Sequence, residues 1–272
     1  MPNLSSTTAT APQRILVFGG IYNNHQSLRA TVAEGRRWGA EEFYCLGDMG
    51  GFGPSPDKVF PLLQEAGVNC MQGNYDHSVG NRLDDCACGY TDPRDNHFAR
   101  ISYDYTLKQT SDANKDWLRD LPTEFRRTWN GRRVLMAHGS PRRTNEFLWA
   151  STSPDHFLDH LLRDADADLL LVTHTGIPWS RTLASGRVVI NVGAIGRPAN
   201  DGNTHVWAVG LDLTTPDRLQ HTFLPITYDH LALADEMREE SLPEEFVTTI
   251  LTGWWTTCLE ILPAKERALG RF

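Results

Sequence analysis

Five short loops hold the side chains in this sequence whose types could bind a cation or move a proton: FGGIYNN, LGDMGGFGP, QGNYDHS, AHGSP and VTHTGIP. They carry Asp48, Asn74, Tyr75, Asp76, His138 and His174. Each follows an apolar run, and ligands of open α/β sheets bind beyond the carboxyl ends of the strands, so these loops are where chemistry is to be sought. Singly, each residue has a plainer role: a Gly-Asp after a strand makes a turn, and a strand-end histidine hydrogen-bonds within its loop. Their joint order carries more information than any one of them.

The runs that must position these loops alternate with amphipathic stretches. RILVFGG reads as a buried strand, and HQSLRATVAEGRRWG as a helix with Leu28, Val32 and Trp38 on one face and Gly39 as its terminator. FYCLGD is a second strand, PDKVFPLLQEAG a helix and VNCMQGN a third strand. That βαβαβ order predicts a parallel sheet. Between Asp76 and Pro122 the pattern loosens into an insert of loops and short helices over the sheet's edge, with SDANKDWLRDL its clearest helix, capped by Ser111 or Asp112. RRVLMAHGS is a strand, SPDHFLDHLLRD a serine-capped helix, ADLLLVTHTG a strand, and SRTLASGRVVIN a hairpin turning at Ser185-Gly186. HVWAVGLDL and RLQHTFLPI form an antiparallel pair, and from Tyr228 the chain reads as helical, with Ser241 and Pro243 marking a new start. Two α/β halves meeting in mixed sheets are predicted.

A hydrophobic share of 40% and a charged share of 22% over 272 residues describe a folded globular chain. A net charge of −8 and the lack of a long Lys/Arg run argue against a nucleic acid polymer as partner. No apolar stretch is long enough to span a membrane. Cys45, Cys70, Cys86, Cys88 and Cys258 are an odd set without a disulfide-framework spacing, and MPNLSSTTATAPQ lacks a secretory pattern, so a cytoplasmic location is expected. The predicted layout is a frayed tail over 1–13, one domain over 14–227, and a helical extension over 228–272 packed on that domain. A small molecule is the expected partner, and the sequence assigns no oligomeric state.

The order GD, GN, HG and a THT loop, trailed by NVGAIGRP, resembles the calcineurin-like metallophosphoesterase superfamily over most of residues 14 to 212. The resemblance implies a four-layer α/β/β/α sandwich of two mixed sheets with a metal site at their shared edge. Members hold two metals roughly 3.5 to 4 Å apart, which together stabilise attacking and leaving oxygens. By that resemblance Asp48, Asn74, His138 and His174 ligate one metal. The ligands exclusive to the other are missing: Gly20 and Tyr22 stand where an Asp and a His are expected, and Gly176 where a second His is expected. One divalent ion is therefore predicted, and two imidazoles, a carboxylate and an amide suit Mn, Fe or Zn better than Ca or Mg.

Tyr75 takes the place of the histidine that protonates the leaving group in the family. A phenol with a pKa near 10 can donate a hydrogen bond to developing charge but shuttles protons poorly, so the neighbouring Asp76 and His77 are alternatives for that role, while Asp48 is a catalytic candidate through the metal it would hold. His77 is equally well read as an exposed start to the next helix. Tyr22, Asn24, His25, Arg142, Asn145 and Arg197 are the expected substrate-binding residues, the arginines because a guanidinium can grip a phosphate or carboxylate bidentately. Cys86 and Cys88 are too close for a zinc knuckle and read as buried or pocket-wall thiols. Phe52, Tyr90, Phe147 and Trp149 are candidate walls for a flat group. The reading is a metal-dependent hydrolase of a small nucleotide-like or nucleoside-like substrate. Cleavage of another bond, such as an N-glycosidic bond, and non-catalytic binding of metal and ligand are its rivals.

Overall fold

A short strand that is apolar at successive positions must bury both of its faces, and β1 (Arg14–Phe18) does so from Ile15 onward. In the computed structural model, which describes residues 12–86 and 88–268, Ile15 and Val17 point into the space between two sheets. Leu16 and Phe18 point the other way, onto a helical layer. Most of the predicted tail, residues 1–11, lies outside the described residues.

The first sheet runs β10 (Gln220–Ile226), β9 (Val206–Asp212), β1, β2 (Glu42–Cys45) and β3 (Asn69–Cys70). Strands β1, β2 and β3 are parallel, with Ile15 opposite Glu42 and Tyr44 opposite Asn69, and β9 is antiparallel to both of its neighbours. The second sheet runs β4 (Glu124–Trp129), β5 (Arg132–Ala137), β6 (Leu169–Val172), β8 (Val188–Asn191) and β7 (Trp179–Thr182). Its three central strands are parallel and its two edges antiparallel.

Between the sheets, Ile15, Val17, Tyr44, Val209 and Leu211 meet Val134, Met136, Leu169, Leu171 and Ile190 in one core. Outside the first sheet, Leu28 and Val32 of α1 (His25–Trp38) and Phe60 and Leu63 of α2 (Val59–Ala66) cover Leu16, Phe18 and Phe43. Outside the second, Leu158, Leu161 and Leu162 of α6 (Asp155–Asp164) cover Leu135, Leu170 and Val189. The expected four layers are present, and Gly39 ends α1 in the left-handed conformation.

The structure corrects several element readings. β4 was not foreseen. It is an edge strand with charged residues on its open face, which hides the apolar pattern, yet Asn130-Gly131 with both φ positive is the two-residue turn that joins it to β5. The insert holds a long helix beside its short ones: after α3 (Asn74–Gly80), α4 (Pro93–Gln109) starts on Asp92, whose Oδ1 accepts from the Arg94 and Asp95 N–H groups. Neither Ser111, at the start of α5 (Asp112–Arg119), nor a serine before α6 makes a capping bond, and Pro154 occupies the latter boundary. The insert does lie at the sheet edge, where Gln72 after β3 donates from its backbone to the Pro122 carbonyl at 2.8 Å and from Nε2 to Leu118 at 2.9 Å. Cys86 and Cys88 are joined as a disulfide rather than standing as thiols. The C-terminal helices are α7 (His230–Glu239), α8 (Glu244–Thr252) and α9 (Ala264–Ala268), separated after α8 by an irregular stretch. No described helix is long and apolar enough to cross a membrane.

Candidate metal centre and pocket

The loops after β2, β3, β5 and β6 converge at one end of the facing sheets. Asp48 sits there in the left-handed region, at φ 57°, a conformation that the surroundings must enforce. They do so through Asp76, whose Oδ2 accepts from the Asp48 N–H at 2.6 Å and the Gly73 N–H at 2.8 Å, and whose Oδ1 accepts from the Met49 N–H at 2.9 Å. One buried carboxylate thus ties the loop after β2 to the loop after β3. Burial first, and the charge of Asp48 second, push its carboxyl up to about 7, against the pull of those backbone donors.

Asp48 Oδ1 accepts from the Tyr75 N–H at 3.0 Å, and Oδ2 lies 3.2 Å from His138 Nε2. His138 Nδ1 is 2.6 Å from the Leu46 carbonyl, an acceptor only, so the ring proton sits on Nδ1 and the Nε2 lone pair faces the cluster. His174, at φ 56° after β6, brings Nδ1 within 3.1 Å of His138 Nε2. Asn74, the first residue of α3, donates from Nδ2 to the Cys86 carbonyl at 2.8 Å, while its Oδ1 is buried without a partner.

These atoms fit a divalent cation. Ligands roughly 2.0 to 2.2 Å from a common ion lie about 3 to 3.4 Å apart, which is the spacing of His138 Nε2 from Asp48 Oδ2 and from His174 Nδ1, and the three residues offer atoms all within 4.8 Å of one another. Leaving an amide oxygen orphaned in the interior costs about 1 to 3 kcal/mol, a cost that coordination would remove. His174 is pushed down to about 3 by burial and by the neighbouring His138, which keeps it neutral and its lone pair available. With no ion bound, burial opposes charge on Asp48 and His138 while each favours charge on the other, Asp48 shifted below the usual carboxylate range and His138 above the usual imidazole range, so a cation at this cluster would take the place of a proton on His138 Nε2.

Beside this cluster lies a cavity with about 60 Å³ of free volume, set in a concavity of about 600 Å³ that includes open solvent. Of the residues singled out from the sequence, Tyr22, Asp48, Asn74, Tyr75, His174 and Arg197 line it, as do Cys88 and the expected walls Phe52, Tyr90 and Phe147, whereas Trp149 does not. The Tyr75 hydroxyl donates to Ser102 Oγ at 3.0 Å, and burial raises the phenol's pKa further. Arg197 is 7% exposed, lies 3.6 Å over the Trp255 ring and has Tyr22 and Phe52 on other sides.

The remaining candidates are placed differently. Both oxygens of Asp76 are committed to backbone donors and it does not line the cavity, so it is a brace and not a free proton donor. Asn24 caps α1, accepting from the Ser27 N–H and donating to the Gly196 carbonyl. His25 turns away to Glu236, with Nε2 2.7 Å from its Oε2, and does not line the cavity. Arg142 pairs with Glu146 and lies over Phe157. Asn145 lines an adjoining depression with Cys88 and Tyr90.

Sequence reasoning missed Ser102, Phe98 and Ala99 of α4 and Phe246, Cys258 and Ile261 of the extension. The i, i+4 pair Phe98 and Ser102 was a usable signal, had the insert been read as one helix. Nothing local marked Cys258 or Ile261. Trp255, in the irregular stretch, is fully buried, its backbone N–H on Asn200 Oδ1 at 2.9 Å and its indole N–H on the Pro198 carbonyl at 2.7 Å.

Two mixed sheets between helical layers, with Asp, Asn and two His at the strand ends, define a metallophosphoesterase fold. Residues 14–213 match the calcineurin-like phosphoesterase superfamily domain, and the chain belongs to that superfamily. An uncharacterized protein from Methanocaldococcus jannaschii is 26% identical over 205 residues, covering 70% of this chain and 79% of its own length. The crystal structure of a metallophosphoesterase from Sphaerobacter thermophilus superposes with a TM-score of 0.69 at 24% identity, over 89% of this chain and 100% of that one. A hypothetical protein from Pyrococcus horikoshii gives 0.72 at 22%, over 89% and 99%. These structural likenesses establish the fold.

Proposed function

We propose that the chain is a metal-dependent hydrolase that cleaves a small nucleotide-like phosphoester, with one divalent ion held by Asp48, Asn74, His138 and His174. The observation that carries this reading is the Asn74 amide. Its nitrogen is spent on the Cys86 carbonyl, which leaves a buried, partnerless oxygen on a residue that lines the same cavity as Asp48 and His174.

A divalent ion bound there supplies a Lewis acid that polarises a phosphoryl oxygen and makes water more acidic. The chain's own residues hold the geometry. The Leu46 carbonyl fixes the tautomer of His138, the Tyr75 N–H orients the Asp48 carboxylate, and Asp76 locks the loop that carries Asp48. Ser102 Oγ already accepts from Tyr75 and from the Phe52 N–H, so its own proton is free for a substrate oxygen in the cavity it lines. Tyr75 acts through Ser102 as a fixed hydrogen-bond donor, since burial makes loss of its proton harder. Phe52, Phe98, Phe147 and Phe246 wall the concavity for a flat group.

Elemental analysis of the purified protein should give about one divalent metal per chain, falling toward none in Asn74→Ala and His138→Ala. Turnover of a panel of phosphomonoesters and phosphodiesters should drop by about 100-fold or more in His174→Ala, of the order expected when a group essential to the transition state is lost. Two metals per chain would refute the mononuclear site. Release of a free base without phosphate would move the reaction to the glycosidic bond, and saturable binding without any product would make the chain a binding protein.

A further inference from the structure

We infer that the Arg197 guanidinium stands in for a second cation at this site and receives the phosphoryl oxygens of a small monoester whose other substituent is apolar. The inference rests on the metal-dependent reading above and names the substrate class for it.

The space beside Asp48 is filled in an unusual way. At Gly20 an added Cβ would come 2.8 Å from the Tyr22 ring, which lies back over that glycine, and at Gly176 it would come 3.5 Å from the Trp255 ring. These are the three positions, Gly20, Tyr22 and Gly176, at which the resemblance led us to expect ligands for another metal. In place of a carboxylate and two imidazoles the chain puts a phenol ring and an indole, and Arg197 lies against both, 5.7 Å from the Tyr22 ring and 3.6 Å from that of Trp255.

Aromatic faces attract a cation but do not neutralise it; each contact contributes about 0.5 to 2 kcal/mol, short of the several kcal/mol that burying an unpaired ion costs. Arginine cannot escape by losing its proton. Arg197 is buried, its Nε has no hydrogen-bond partner, and no carboxylate among the described residues pairs with it. The remaining charge deficit is what an anionic ligand would supply. Arg197 lines the same cavity as Asp48, Asn74 and His174, so one tetrahedral oxyanion can face both the guanidinium and the metal cluster.

The lining also limits the anion. Arg197 is the one Lys or Arg among the residues lining the cavity, and the rest of the wall is dominated by Phe52, Phe98, Phe147, Phe246 and Ile261. Asp48 offsets one of the three positive charges that a divalent ion and Arg197 bring together, which leaves a balance for a dianion. A phosphomonoester meets that balance. A di- or triphosphate would place further charges against phenylalanine, where they would be desolvated without a partner. The 60 Å³ of free volume fits a phosphoryl group, with the substituent lying in the wider aromatic mouth.

The test is calorimetric titration of inorganic phosphate into the wild type, Arg197→Met and Arg197→Lys, each metal-loaded and metal-free, with metal content measured in parallel. The wild type should bind phosphate, Arg197→Met at least about 30-fold more weakly, and Arg197→Lys should fall between, since lysine keeps the charge and loses the planar stack. Metal content should be unchanged in both variants. In metal-free protein a weaker but still Arg197-dependent affinity is expected, so failure of the metal reading leaves this arm standing. Equal phosphate affinity in wild type and Arg197→Met overturns the inference, as does turnover of nucleoside triphosphates in preference to monoesters. Should Arg197→Met not fold, Arg197→Lys decides: affinity equal to wild type at unchanged metal content overturns the special role of the guanidinium.

Discussion

Replacing Asp76 by asparagine separates a brace from an acid. In the wild type three backbone N–H groups converge on its two oxygens, those of Asp48 and Gly73 on Oδ2 and that of Met49 on Oδ1. Asparagine can keep its oxygen in the two-donor position, which leaves its NH₂ group facing the Met49 N–H. One charge-assisted bond worth about 1.5 to 3 kcal/mol is lost and the other two are weakened. Relief of the repulsion with Asp48, and of the burial that holds this carboxyl up at about 7, returns part of that. The net expectation for Asp76→Asn is a loss of about 2 kcal/mol in stability. Because Asp76 holds Asp48 in its left-handed conformation, metal affinity should fall about tenfold or more, as for other groups that orient metal ligands. Urea unfolding followed by circular dichroism and competition with a chelating dye measure the two. If stability stays within about 0.5 kcal/mol and metal affinity is unchanged while turnover collapses, the brace is refuted and Asp76 is the proton donor that the sequence suggested.

Gly47 has φ 93°, and a Cβ there would lie 2.7 Å from the Gly73 Cα, so Gly47→Ala should cost about 3 kcal/mol or more in unfolding free energy, read by chemical denaturation. Asn24→Ala removes the cap of α1 and the bond to Gly196, and should lower stability by about 1 to 2 kcal/mol with the substrate KM unchanged. Burial opposes charge on Glu236, but Lys58, Ser55 and His25 hold its carboxyl down to about 2 from an ordinary 4.5. Its contribution to stability is therefore complete above about pH 4.5 and is lost as the pH falls toward 2, so unfolding free energies of Glu236→Gln should decline less steeply than the wild type over that range.

The sheets were legible because β1, β5 and β6 are apolar at nearly every position, a pattern that only a strand covered on both faces needs. The convergence of the candidate ligands was legible because they stand just after β2, β3, β5 and β6, where backbone topology sets their place. Asn24 and His25 were misassigned because proximity in sequence to Tyr22 says nothing about direction: α1 starts at His25, and the first helical turn carries both side chains away from the cavity. Arg142 was misassigned because the sequence does not show that Glu146, one helical turn's spacing away, would take its guanidinium. Arg197 could be named but not weighed, since what matters about it is the absence of a nearby acid and the presence of Trp255, which is 58 positions further on. Contacts of that span leave no periodic trace.

The pinning of Trp255 against Asn200 and Pro198 bears on the order in which the protein is completed. All four candidate metal ligands have been made by residue 174, whereas Phe246, Cys258 and Ile261 come more than 70 residues later. A polypeptide still attached to the ribosome therefore acquires its ion-binding side chains long before the wall of its pocket. A product cut short near residue 245 would keep the cluster that grips a cation and lack Trp255, on which Arg197 rests. The candidate ligands and the pocket wall are thus supplied by separate parts of the chain, and Trp255 belongs to the later one.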